Sequence, residues 1–404
     1  MSEMKFIVRE PLLNAAQQIL GYELSWQSNE QDGGMASDED LLELVAFVAA
    51  QLHDKESTWL LNDSMLFFEA TPALVASDVV KKLPAQNTVF RLTSADLADK
   101  ETLRVVSDLR QQGYGISLRD ADTLPHKSQL LQVVSHVEGH FSRDSVDAKV
   151  IEQSGLKSDH VKLVARQIAD WREYDHCVAN GLYAFIGNLY LTQRPNAEKK
   201  GLNSAQLIIV QLMEMVRQNA DIRELEEVLK RDAALSYKLF RYINNVGYGL
   251  GAEIQSLRHA VTMLGYSPLY RWLSLLLATA STHSHSAVLM QTAIVRGRFA
   301  ELAGHGILPK HEAENLFVVG MFSLLDRLLG IPMEEVLSKI QLSESVAQAL
   351  LTRDGMYGPF LALAEACEPN NGDIAALADS LFISSRQVNE AHLAALAWAQ
   401  AIKI

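Results

Sequence analysis

A histidine and an aspartate side by side, with further His or Asp ligands to share an ion, could hold a metal for hydrolytic chemistry. This chain has one His-Asp dipeptide, His53–Asp54, which ends a helical stretch with no partner motif and so reads as ordinary surface. His283 and His285 stand two positions apart, so on a helix they point to nearly opposite sides and cannot chelate together. Cys177 and Cys367, the only two cysteines, have no CxxC spacing and suggest neither a disulfide framework nor a thiolate zinc site. The glycines of GYGLG, Gly247 to Gly251, follow a helical run and lack the strand-turn-helix setting of a phosphate loop. Ahead of them Arg241, Tyr242, Asn244 and Asn245 form a polar cluster, which fits either helix capping or a surface for a protein partner.

The elements that would carry such groups fall into two kinds. At 404 residues the chain exceeds what one core organises, and two domains are expected. Hydrophobic residues at 48% against 21% charged predict folding throughout. A formal charge of −13 argues against a broad nucleic-acid-binding face. The first residues, MSEMKFIVREPLL, show no basic-then-apolar leader, and the most apolar run, Leu273 to Ala280, is too short to span a bilayer. With the cysteine usage, this predicts a cytoplasmic protein without a membrane segment.

From Phe6 to about Leu191, β-rich runs alternate with helical stretches. FIVREPLL, GYELSW, TWLLND, TVFRLT, YGISLRD, LLQVVSH, VKLVARQ and YAFIGN are the strand candidates. Ser37 and Asp40 are spaced as an N-cap and its N3 partner before a helix carrying Leu41, Val45, Val48 and Leu52 on one stripe. Eight strands with intervening helices predict a (β/α)8-type barrel, its working end at the strand C-termini. The first two candidates are too close for a helical crossover, so they are expected to pair antiparallel. The expected organisation is a barrel over 1–191, a linker over 192–203 and an all-α domain over 204–404. In that last part Gly and Pro cut the helical pattern into short pieces, and Leu207, Val210, Met213 and Met215 are expected in its core.

GYELSW resembles the signature strand of EAL domains, the cyclic di-GMP phosphodiesterase barrels, with Glu23 at the position of the metal-binding Glu. LLND resembles their second ligand strand, with Asn62 in place, and GYGISLRD resembles the strand that ends in paired acidic residues. The resemblance also implies what has been lost. Thr93 and Ser94 stand where the family pattern carries a Glu, and Arg119 then Asp120 where it carries two Asp. Ser135 stands for a Lys, Arg166 and Ala169 for glutamates, IGN for the last QG, and Gln27 for an Arg that contacts the dinucleotide. Hydrolysis needs a nearly complete set of oxygen ligands around divalent metal. Glu23, Asn62, Arg119 and Asp120 are thus the remnant barrel-mouth positions, and no bound metal or cofactor is expected.

RDAALSYKLFRYINN and SLRHAVTMLG resemble the HDOD domain, a relative of HD phosphohydrolases that usually lacks their catalytic residues. In NLFVVGMFSLLDRLLG the expected His-Asp pair is Ser323 and Leu324, on one apolar stripe with Leu316 and Val319. The two resemblances together imply a non-catalytic bacterial signal-transduction protein, working through protein contacts in cyclic di-GMP-linked control of motility or biofilm formation. A cyclic dinucleotide receptor that binds at the barrel mouth without cleaving is the alternative, and an active phosphodiesterase the third.

Overall fold

Ile7–Leu13 (β1) and Ile19–Trp26 (β2) are joined by five residues and pair antiparallel, with Glu10 opposite Glu23. The turn is built by Asn14, whose side-chain oxygen accepts from the backbone N–H groups of Ala16 and Gln18, each at 2.9 Å, and it sets Gln17 at a left-handed φ of 57°. The remaining strands run parallel to β2: Met65–Glu69 (β3), Thr88–Leu92 (β4), Gly115–Leu118 (β5), His136–Gly139 (β6), Lys162–Ala165 (β7) and Ala184–Ile186 (β8). β8 closes on β1, completing a barrel in the order β1 to β8. This computed structural model describes residues 5–27, 36–54, 59, 61–119, 130–140, 160–195, 202–232, 235–239, 243, 256–280, 286–340, 342–369 and 372–402.

The helices around the barrel are Asp38–His53 (α1), Pro72–Ala76 (α2), Lys100–Gln111 (α3) and Trp171–Ala179 (α4). α1 begins with the capping box expected of Ser37 and Asp40. Leu12, Phe67, Val89, Val164, Ala184 and Ile186 meet on the barrel axis as a dry layer. Because side chains alternate along a strand, that layer fixes which residues face inward one level nearer the mouth.

Two of the expected strands are displaced. Among the described residues of TWLLND none is in a strand: Asn62 adopts a left-handed φ of 48° in a turn closed by the N–H of Ser64 donating to the carbonyl of Leu61, and β3 starts only at Met65. In LLQVVSH, Leu130–Gln132 forms a 3-10 turn and β6 starts at the final histidine, His136. In both cases apolar residues that pack beneath the barrel imitate a strand just upstream of the real one.

Backbone contacts divide the chain into Met1–Pro195 with Cys367–Asn370, and a second unit with the rest. The second unit is helical: Ser204–Arg217 (α5), Ile222–Leu229 (α6), Leu257–Leu264 (α7), Tyr266–Thr279 (α8), Ser286–Gly304 (α9), Lys310–Phe322 (α10), Leu325–Leu329 (α11), Met333–Lys339 (α12), Glu344–Thr352 (α13), Gly358–Ala366 (α14), Ile374–Ser380 (α15) and Ser385–Ala401 (α16). Among the described residues no helix is long and apolar enough to cross a membrane. Of the residues expected in the core of α5, Met213 is buried as expected while Leu207 is 56% exposed, and Gln206, Ile209, Leu212 and Val216 are buried with Met213. The capping box of Asn203 with Gln206 opens the helix.

α9 and α10 cross where Gly297 meets Gly320. A Cβ on Gly320 would lie 2.4 Å from the Cα of Gly297, so the crossing depends on bare backbone. Gly320→Ala is expected to destabilise the helical unit by roughly 1–3 kcal/mol through forced separation of the two helices, read as a lower thermal midpoint. An unchanged midpoint would mean the crossing can relax.

Candidate functional site

At the barrel mouth the residues one step above the dry layer are charged. Arg91 follows Val89 by two positions, Arg166 follows Val164, and Glu138 follows His136; Glu23 and Glu10 face them from β2 and β1. Arg91 donates through Nε to both carboxylate oxygens of Glu138 at 3.0 Å, and through Nη1 to Glu23. Arg166 donates to the same two carboxylates, Nε to Glu138 and Nη2 to Glu23. The Ser117 hydroxyl completes Glu138 at 2.6 Å. Two guanidinium groups thus lie across two carboxylates in an alternating ring.

The protonation of the ring follows from this geometry. Burial alone would make Glu138 hard to ionise, but the charges of Arg91 and Arg166 and the Ser117 hydrogen bond outweigh it and hold its carboxyl below the usual range. Burial likewise opposes the charge on Arg166, and Glu23 and Glu138 overcome it, leaving the guanidinium firmly protonated. Glu10 fares differently. Burial, then the neighbouring charge of Glu23, pushes its carboxyl up to about 7.

The residues singled out in the sequence are scattered. Glu23 is in the ring. Arg119 sits just beyond β5 and pairs with Glu69, the last residue of β3, at the rim. Asn62 is exposed at the opposite end, before β3, where its backbone carbonyl accepts from Asn87 at 2.8 Å, so it is no mouth residue. Asp120, like Arg241, Tyr242, Asn244 and Asn245, lies outside the described residues. Thr93 turns away to cap Asp96, accepting from the Asp96 N–H while its own hydroxyl and N–H donate to the Asp96 carboxylate. The inward residue of that strand is Arg91. Ser135 bridges the backbone of Ile116 at the start of β6, and the inward residue there is Glu138. Arg91, Glu138, Ser117, Glu10 and Glu69 were therefore missed. The signal was a charge inside a continuous buried run, as in TVFRLT and HVEG.

In the helical unit Ser323 caps α10, its hydroxyl donating to the Gly320 carbonyl at 2.7 Å, and Leu324 precedes α11; both are buried. The position is held by a cation from α9: Arg296, 4% exposed, donates to Ser323 at 3.2 Å and to Glu365 at 2.9 Å. Arg353 grips the same Glu365 through two bonds of 2.9 Å. Burial raises the carboxyl of Asp326 nearby. Among the described residues no three His, Cys, Asp or Glu side chains gather in a way that could hold a metal ion.

A closed eight-stranded barrel with an antiparallel first strand, followed by a multi-helix region, defines a two-part architecture. Residues 202–333 match the family model of the HDOD domain. The chain thus joins a closed eight-stranded barrel to a region that matches the HDOD domain. It is 23% identical over 402 residues to the uncharacterized protein YuxH of Bacillus subtilis (strain 168), covering 97% of each chain. It is 24% identical over 379 residues to the cyclic di-GMP phosphodiesterase CdgJ of Vibrio cholerae serotype O1, covering 90% of this chain and 84% of that one. Among solved structures it is similar to the EAL domain of Mycobacterium smegmatis DcpA, at 16% identity and a TM-score of 0.37, covering 45% of this chain and 90% of that one.

Proposed function

We propose that this chain is a non-catalytic signalling protein, acting through protein contacts in a cyclic di-GMP-linked pathway. The observation that carries this reading is the ring at the barrel mouth, where the guanidinium groups of Arg91 and Arg166 engage the oxygens of Glu23 and Glu138. A divalent cation that activates water there needs free carboxylate oxygens and no fixed positive charge beside it. Here the oxygens are taken and two positive charges are in place, so the residues do not fit such an ion. The likeness to a Vibrio cholerae protein named as a cyclic di-GMP phosphodiesterase makes that dinucleotide the compound to test.

The full chain incubated with cyclic di-GMP and millimolar Mg2+ or Mn2+ is expected to release no linear dinucleotide. Metal-dependent turnover that disappears in Glu23→Ala would overturn the reading. Calorimetry on the same sample separates the alternative, since binding at micromolar protein without turnover would make the barrel a receptor.

A further inference from the structure

The barrel wall is thin where β8 meets β1. The two strands pair only at Leu12 with Ile186 and Leu13 with Phe185, and a cavity of about 370 Å³ opens along this seam, reaching Glu10. Trp171 and Tyr174 of α4, Phe185 of β8 and Tyr190 line it. The ring centroids of Tyr174 and Phe185 are 4.6 Å apart, and those of Trp171 and Tyr174 are 5.5 Å apart, so the aromatic wall is continuous.

Gln17 is 1% exposed, with its amide against the Tyr174 hydroxyl. The Glu10 carboxyl has no hydrogen bond or ion pair among the described residues. The charged groups that face it are Glu23 on β2, Arg91 on β4, Glu138 on β6 and Arg166 on β7. The two arginines are already committed to Glu23 and Glu138, which leaves Glu10 as the carboxyl of this layer without a counter-ion.

We propose that the seam cavity binds a small organic monocation built on an aromatic ring, with its ammonium on Glu10 and its ring against Trp171, Tyr174 and Phe185. The aromatic wall and the Glu10 carboxyl favour a cation, and the Arg166 guanidinium that also lines the cavity is held by Glu23 and Glu138. Binding requires ionised Glu10, whose carboxyl titrates at about 7, so affinity is linked to pH.

Tyramine, an arylalkylammonium with a phenol oxygen, is the probe. Its carboxylate counterpart, 3-(4-hydroxyphenyl)propionate, is the control. Titrated calorimetrically into the full chain, tyramine is expected to bind about tenfold more tightly at pH 8 than at pH 6, and the carboxylate not to bind. Glu10→Gln is expected to weaken tyramine at pH 8 by at least about tenfold and to remove the pH dependence. The proposal is overturned if tyramine gives no heat at millimolar concentration and pH 8, if its affinity is the same at both pH values, or if the carboxylate binds as well. The outcome is independent of whether cyclic di-GMP is bound or cleaved at the mouth, because neither tyramine nor the control resembles a dinucleotide.

Discussion

Arg91→Ala is expected to destabilise the barrel by about 3–5 kcal/mol, because it strands the Glu138 carboxylate, 1% exposed, with half of its cationic neighbourhood removed. A buried ion pair is a modest net stabiliser, but breaking one side leaves a charge that water cannot reach. Urea unfolding of the full chain measures the loss. Hydrogen exchange of peptides covering β4 and β6 assigns it to the barrel rather than to the second unit. Glu138→Gln in the same background removes the stranded charge, so the double variant should recover on the order of 2 kcal/mol of that loss. If Arg91→Ala costs less than about 1 kcal/mol, the guanidinium is not what holds Glu138, and the argument against a metal ion at the mouth loses its basis.

The same pair sets the acid side of the stability curve. The folded-state carboxyl of Glu138 lies below its ordinary value, so its contribution is full above the unfolded-state value near 4.5 and is lost as pH falls through the folded-state value. Removing Arg91 raises that folded value, and the acid transition should move to higher pH.

Much of the barrel could be read from the chain because its signals are local. Short β-rich apolar runs mark β4, β5, β7 and β8, and the short β1 to β2 connection forces antiparallel pairing. β3 and β6 were misplaced because Trp59 and Leu61, and Leu130 and Val134, are buried beneath the barrel without extending along it. That displacement decided what could be seen of the site. With β3 set seven residues too early, Asn62 took the place that Glu69 holds at the rim, and with β6 set too early Ser135 took the place of Glu138. Position within a strand tells inward from outward only when its register is known, and a slip of one residue reverses it. The ring is also invisible locally: Glu23 and Arg166 meet across 143 positions. In the helical unit Ser323 and Leu324 could be named from the sequence as the expected emptied position, whereas the cation that reaches Ser323 comes from α9 and could not be assigned from the sequence.

Glu10→Gln should make the barrel more stable at neutral and alkaline pH, by up to about 3 kcal/mol where the seam is dry and by less where water screens it. The sign follows from the direction of the shift. Below about 4.5 the carboxyl is protonated in both folded and unfolded chains and costs nothing. Between there and about 7 the unfolded chain releases the proton while the folded chain keeps it, so stability falls as pH rises; above about 7 both are ionised and the full penalty stands. Glutamine imitates the protonated acid and carries no such penalty. Wild type and variant should therefore have similar midpoints at pH 4.5 and diverge steadily to pH 8, a pattern that unfolding measured across that range tests directly. Coincident curves would place Glu10 in contact with water or a cation in solution, and remove it as the unsatisfied charge of the seam. A carboxyl that lowers stability at neutral pH, held beside an arginine ring that is already balanced, is the kind of residue a binding site retains and a purely structural core does not need.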